Sequence, residues 1–269
     1  NSIRTWYNIR ADIQQISISD IKSNINNIFK AQAQYANSIF YCIPTLHNPT
    51  QHCYSIAEKQ KIIMQCEQHG MPIVEDDVYG DLYFNHERPK PLKSFDTNDN
   101  ILYLNSLSKT VSPGLRVGWI VSKPSVAAHL ADLKMQNDYG ASSISQYIAS
   151  EWLTQPQYHD QHLKDLKAKL LIKRNLFLES LKKYFSDFGS WSMPDGSFYI
   201  WFQFKFSIDM KRLFDAAIAE HILINPGEVY DKHAHNCIRF SYAYIDTDDI
   251  DATLKQLSEI IQTRFLISS

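Results

Sequence analysis

Residues 106–119, SLSKTVSPGLRVGW, carry the most information about how this chain folds. They follow an apolar, strand-like run, Ile101-Leu102-Tyr103-Leu104, and place Lys109 after Ser106 and Ser108 and ahead of Arg116. Hydroxyls, an amine and a guanidinium gathered at a strand end grip a phosphate while offering a nucleophile. An amine of this kind attacks carbonyls to form Schiff bases. The segment therefore asks for a small molecule that carries both a phosphate and an aldehyde.

Three other segments bear on the same chemistry. In residues 41–51, YCIPTLHNPTQ, a short buried strand around 39–43 runs into a loop marked by Pro44, Asn48 and Pro49. In residues 73–82, IVEDDVYGDL, a β-branched pair runs into the acids Glu75, Asp76 and Asp77. Open α/β sheets bind ligands outside the carboxyl ends of their strands, so acids at such an end suit a site better than a surface. Periodicity alone does not choose among the three. In residues 236–242, NCIRFSY, Arg239 stands inside an apolar strand. An unpaired guanidinium is costly there, so Arg239 calls for a buried partner, such as an internal acid.

Taken in order, these segments resemble the class I/II aminotransferases, pyridoxal phosphate (PLP) enzymes of fold type I. The resemblance implies an α/β fold: part of a large-domain, mostly parallel sheet with flanking helices, plus a small C-terminal α/β domain. It makes Lys109 the Schiff-base lysine and Ser106, Ser108 and Arg116 phosphate ligands. Asn48 corresponds to the Asn of an Asn-Pro-Thr-Gly loop that meets the cofactor's phenolic oxygen, although Gln51 stands where that loop has Gly. The family spacing Asp-x-x-Tyr maps onto Asp76, for the pyridine nitrogen, and Tyr79, for the phenolic oxygen. Arg239 corresponds to the substrate-carboxylate arginine. The implied activity is amino transfer between an α-amino acid and a 2-oxo acid, in a homodimer.

Residues 75–84, 90–96, 106–119 and 222–230 are similar, more narrowly, to the aminotransferase-type domain of MocR regulators. Those proteins join a GntR-type winged helix to this domain and use PLP as an effector. That likeness gives a second expectation, a PLP-sensing domain that reaches DNA only through a winged helix absent from this chain. A catalytically inert fragment of either is a third. The chain opens without Met. Nothing before Phe40 matches the family's phosphate-binding turn or ring-stacking aromatic, so the expectation is the C-terminal part of a longer protein.

The 269 residues suffice for a large and a small domain, expected at 1–143 and 188–269, with interdomain helices over 144–187. Apolar content of 44% and charged content of 21% are those of ordinary globular chains. A net charge of −2 gives no basic footprint for nucleic acid. Four scattered cysteines fit reduced thiols in the cytoplasm, and no membrane span or signal peptide is apparent. The pair His233 and His235 lacks further ligands to suggest a metal. Repeats and low-complexity segments are absent.

The pattern predicts helices over 20–32 and 56–68, then strands over 72–76, 101–106 and 117–122 that are covered on both faces. A long amphipathic stripe from about 143 to 185 uses Leu163, Leu166, Leu170, Phe177, Leu181 and Phe185. Beyond it come strand 197–204, helix 209–221, strands 222–225 and 237–242, and helix 247–264.

Overall fold

The computed structural model describes residues 38–266 apart from His86. The expected helix over 20–32 lies outside the described residues. Two sheets organise the rest. The first has the order β1-β2-β3-β4, with β1 Phe40–Cys42, β2 Ile73–Asp76, β3 Ile101–Ser106 and β4 Gly118–Val121. The first two pairings are parallel, and β4 returns antiparallel to β3.

Helix α1, Ile56–Gln68, makes the first parallel crossover, between β1 and β2. Ser55 opens it with a capping box: its hydroxyl accepts from the Glu58 amide, and the Glu58 carboxylate accepts from the Ser55 amide. Ile62, Ile63 and Cys66 on its inner face pack with Phe40, Cys42, Ile73 and Ile101.

The second sheet is antiparallel, with the order β5-β6-β7: Gly189–Trp191, Tyr199–Phe204 and Cys237–Ser241. Between the sheets run α2 Pro124–Asp138, α3 Ser143–Leu153 and α4 Pro156–Phe185. Helices α5 Met210–Ala219 and α6 Ile250–Ile261 pack with the second sheet. The stripe on α4 is buried from Leu170 onward, whereas Leu163 and Leu166 stay partly exposed. Phe185 sits in an aromatic knot, its ring centre 5.5 Å from Phe188, 5.5 Å from Phe202 and 5.8 Å from Phe240.

Three expectations need correction, and one helix was not expected. Residues 222–225 form no strand: Ile222 and Ile224 are buried, but pairing is limited to one bridge from Pro226 to Ile238. Pro226 has no N–H to extend a ladder. Helix α2 has no buried residue and hence no apolar stripe by which the pattern could reveal it. Strand β4 is exposed along its whole length, not covered on both faces. The expected helix over 247–264 divides into a 3-10 turn, α6 and a final π turn.

Truncating Phe185 to alanine removes the centre of the aromatic knot. Phe185→Ala is expected to lower unfolding free energy by about 3–5 kcal/mol, read as a shifted urea midpoint.

Candidate functional site

The predicted residues gather where β1, β2 and β3 end. After β1 the chain folds back on itself: Tyr54 N–H donates to Pro44 O at 2.8 Å, and His47 N–H donates to His52 O at 3.0 Å. His47 Nδ1 lies 2.8 Å from Thr50 Oγ1. Gln51, which stands where the family loop has glycine, adopts a left-handed backbone, φ 61°, and its amide donates to His47 O. Such a backbone costs a side-chain-bearing residue about 1–2 kcal/mol.

The three acids after β2 part company. Glu75 is wholly buried and accepts from the amides of Leu92 at 2.7 Å and Lys93 at 2.8 Å, opening a 3-10 turn. Burial pushes its carboxyl up to about 7. Asp77, 1% exposed, pairs with Arg88 and accepts from Tyr103 Oη at 3.0 Å. Asp76 points the other way. Its Oδ2 accepts a 2.6 Å bond from Tyr41 Oη, and its Oδ1 accepts from the Val78 amide at 3.4 Å. Tyr41 escaped the sequence reading. It is 56% exposed between the buried Phe40 and Cys42, and its own phenol is raised by burial and by Asp76.

Tyr79 is buried, with its ring edge-on to Phe198 and Tyr199 at 6.3 and 6.2 Å. Burial, then Tyr199, raises its phenol above the usual range, and the charges of Arg239 and Asp76 also act on it. The half-buried amine of Lys109 lies 5.8 Å from the Tyr79 ring centre. Ser106 Oγ and Ser108 Oγ are 2.9 Å apart, and the Ser108 amide donates to Ser106 Oγ at 3.1 Å. Val117, the neighbour of Arg116, receives bonds at its carbonyl from Ser106 Oγ and the Leu107 amide. Arg116 itself is exposed in a left-handed turn, φ 55°, with a 3.5 Å bond back to Pro113 O.

Arg239 crosses from the second sheet to the first: its Nη1 donates to Asn48 Oδ1 at 2.8 Å. That bond fixes the Asn48 amide, since its oxygen faces Arg239 and its nitrogen is left to donate elsewhere. The Arg239 Nε is buried without a partner, so protein atoms do not exhaust the guanidinium's donors. A carboxylate, a lone amine, paired hydroxyls and a partly unsatisfied guanidinium fit a phosphorylated aldehyde cofactor together with a carboxylate ligand. Among the described residues, no group of three or more His, Cys, Asp or Glu is arranged to hold a metal ion, and His235 is paired with Glu228. None of the described helices is long and apolar enough to cross a membrane.

The profile of aminotransferase class I and II matches residues 5–257. The chain belongs to that family. It has fold type I, and the cofactor that goes with the family is PLP. Among curated proteins it is 42% identical over 226 residues to YisV of Bacillus subtilis (strain 168), described as an uncharacterized HTH-type transcriptional regulator. That match covers 84% of this chain and 46% of YisV. It is 36% identical to the HTH-type transcriptional regulator NorG of Staphylococcus aureus (strain N315), over 87% of this chain and 53% of NorG. The chain thus spans about half the length of these relatives. Among solved structures, Pyrococcus horikoshii kynurenine aminotransferase in complex with PMP superposes with a TM-score of 0.85 at 25% identity. That match covers 92% of this chain and 61% of the other.

The Asn48 loop carries its own pH dependence. Burial, then the nearby His52, pushes His47 from 6.5 down to about 4. Between those values the unfolded chain binds the proton more readily than the folded one, so stability falls as pH drops. The loss from His47 is expected to reach about 1 kcal/mol at pH 5.5 and about 3 kcal/mol at pH 4. Urea unfolding of His47→Gln across this range should show a correspondingly shallower slope.

Proposed function

We propose that the chain is the PLP- and amino-acid-binding part of an aminotransferase-type protein that moves an amino group between an α-amino acid and a 2-oxo acid. The observation that carries this reading is the convergence of Lys109, Asp76, Tyr79, Asn48 and Arg239 at the carboxyl ends of parallel strands. In this reading 1–143 belongs to the cofactor-binding domain, 144–187 links, and 188–269 forms the small domain.

PLP, when bound, supplies an aldehyde that condenses with amines and a ring that withdraws electrons from the attached carbon. The residues of the chain do the rest. Ser106, Ser108 and Arg116 anchor the phosphate, the serines through hydroxyls already oriented toward each other. Asp76 keeps the ring nitrogen protonated, because a nearby negative charge favours the cationic form. Tyr41, donating to the same carboxylate, holds it in place. Tyr79 and the free amide end of Asn48 donate to the phenolic oxygen. Arg239 orients the substrate carboxylate. Lys109 would hold the cofactor through its amine and would move a proton at the substrate α-carbon as base and acid.

A second reading is favoured by the two relatives named HTH-type regulators. The same residues would then sense PLP and an amino acid, with DNA engaged through a winged helix outside this chain. In both readings we expect a homodimer for the full-length protein. Amino-acid-dependent formation of product from a 2-oxo acid supports the first reading. A PLP- and amino-acid-dependent change in DNA affinity without turnover supports the second.

In the full-length protein, Lys109→Ala should abolish the borohydride-reducible PLP adduct while phosphate-anchored PLP still binds. A reducible adduct persisting in that variant would overturn the lysine assignment. Arg239→Ala should weaken amino-acid binding about 30-fold or more, the expectation for losing one partner of a desolvated charge pair, and affect PLP affinity far less. Titrations of both ligands check this, and the reverse pattern would reassign Arg239.

A further inference from the structure

Arg239 is held by more than Asn48. Its guanidinium carbon lies 3.8 Å from the centre of the Tyr199 ring and 4.5 Å from that of Tyr230. Tyr199 stands on β6, beside the arginine's own strand, and Tyr230 ends the short 3-10 turn Gly227–Val229. That turn is tied to β7: the Cys237 amide donates to Ala234 O, and the Arg239 amide donates to Asn225 O at 2.9 Å. Tyr230 is steadied in turn by an edge-on contact with Trp201 at 6.2 Å. Neither tyrosine is required for a guanidinium to bind a carboxylate. Their joint packing on one side chain therefore needs its own explanation.

An arginine has several rotatable bonds, and freezing them when a ligand arrives weakens binding. Rings flanking the guanidinium hold its plane beforehand and attract its charge through their π faces. With Nη1 committed to Asn48 and Nε buried without a partner, the remaining donor capacity lies in that fixed plane.

We propose that Tyr230, together with Tyr199, is a positioning residue that presets Arg239 for a ligand carboxylate, so that the site selects amino acids over the corresponding decarboxylated amines. This rests on the reading of Arg239 as the carboxylate fork. Tyr199 also meets Tyr79, so Tyr230 is the position at which the effect can be isolated.

The experiment uses the full-length protein with PLP, titrated with an amino acid and with its decarboxylated amine and followed by cofactor absorbance. Separate titrations give PLP affinity. Tyr230→Leu is expected to weaken amino-acid binding about tenfold, the scale of a partly desolvated cation–π contact, with amine and PLP affinities unchanged. Tyr230→Phe, which keeps the ring, is expected to restore amino-acid affinity. Tyr230→Gln serves as a second ringless variant if leucine disturbs the turn, with urea unfolding as the check on folding. Equal losses for amino acid and amine, no loss for either, or a Phe variant as impaired as Leu would each overturn the proposal. Arg239→Ala separates it from the reading beneath it. If that variant keeps the acid-over-amine preference, the carboxylate assignment falls and the proposal with it. If it loses the preference while Tyr230→Leu keeps it, only the role of Tyr230 falls.

Discussion

The contact on which the site depends is the hydrogen bond from Arg239 to Asn48, made between residues 191 positions apart. A guanidinium partly removed from water is tolerated only with partners for its donors. This one obtains an amide oxygen from the first sheet, two aromatic rings from the second and its flanking turn, and no partner for Nε. The bond draws the loop after β1 and the edge strand β7 together. Close packing nearby reinforces it: a side chain at Gly196 would meet Leu82 O at 2.4 Å and Leu46 Cδ1 at 2.7 Å. Backbone bonds from Phe84 to Asp195 and from Ser197 to Leu82 close the same seam. The site is thus a junction of two sheets.

Within the first sheet, a two-residue period separates duties among three adjacent acids. Side chains of a strand alternate between faces, so Glu75 and Asp77 share a side and Asp76 takes the other. The inner pair is consumed by structure, Glu75 on two backbone amides and Asp77 on Arg88 and Tyr103. Lys59, buried nearby, donates to Lys90 O at 2.7 Å. Burial lowers its pKa just as it raises that of Glu75. Asp76 alone of the three stays partly exposed, its carboxylate held by Tyr41. A run of acids that looks redundant in sequence is two structural anchors around one candidate site group.

Much of this was legible beforehand, for identifiable reasons. Strands with compact apolar runs, and helices with a buried stripe such as α1, α5 and α6, announce themselves through periodicity. Helix α2 did not, because with no buried face it has no period to show. At Gln51 the sequence showed only a departure from the family's glycine, and the left-handed backbone there became visible in the structure, because a non-glycine residue does not announce that conformation. Lys109 and Arg239 were legible as charged groups within or just beyond apolar strands, whereas Asp76 was separated from its acidic neighbours only by the family spacing Asp-x-x-Tyr. Tyr41 and Tyr199 were not legible, since an aromatic in an apolar strand reads as core until its neighbours in space are known, and Tyr230, at the end of a turn, gives no signal of the side chain it meets. Aromatics that orient charged residues leave a weaker trace in sequence than the charges they orient.

Helix α4 adds a last constraint. Near its start, His162 Nε2 lies 2.8 Å from the carbonyl of Thr110, the residue after Lys109, and the Trp152 ring packs edge-on against His162. Three turns later, Lys173 donates to the carbonyls of Ala243 at 2.9 Å and Ile245 at 2.8 Å, just beyond the strand that carries Arg239. Arg174 donates to Pro194 O and stacks on Phe84 at the seam between the sheets. A helix rises 1.5 Å per residue and resists bending where its ladder is intact. The lysine turn and the arginine strand are therefore fastened to one rod about 16 Å apart along its axis. Displacing either end of this rod works against bonds at the other, so α4 couples the turn after Lys109 to the strand that carries Arg239.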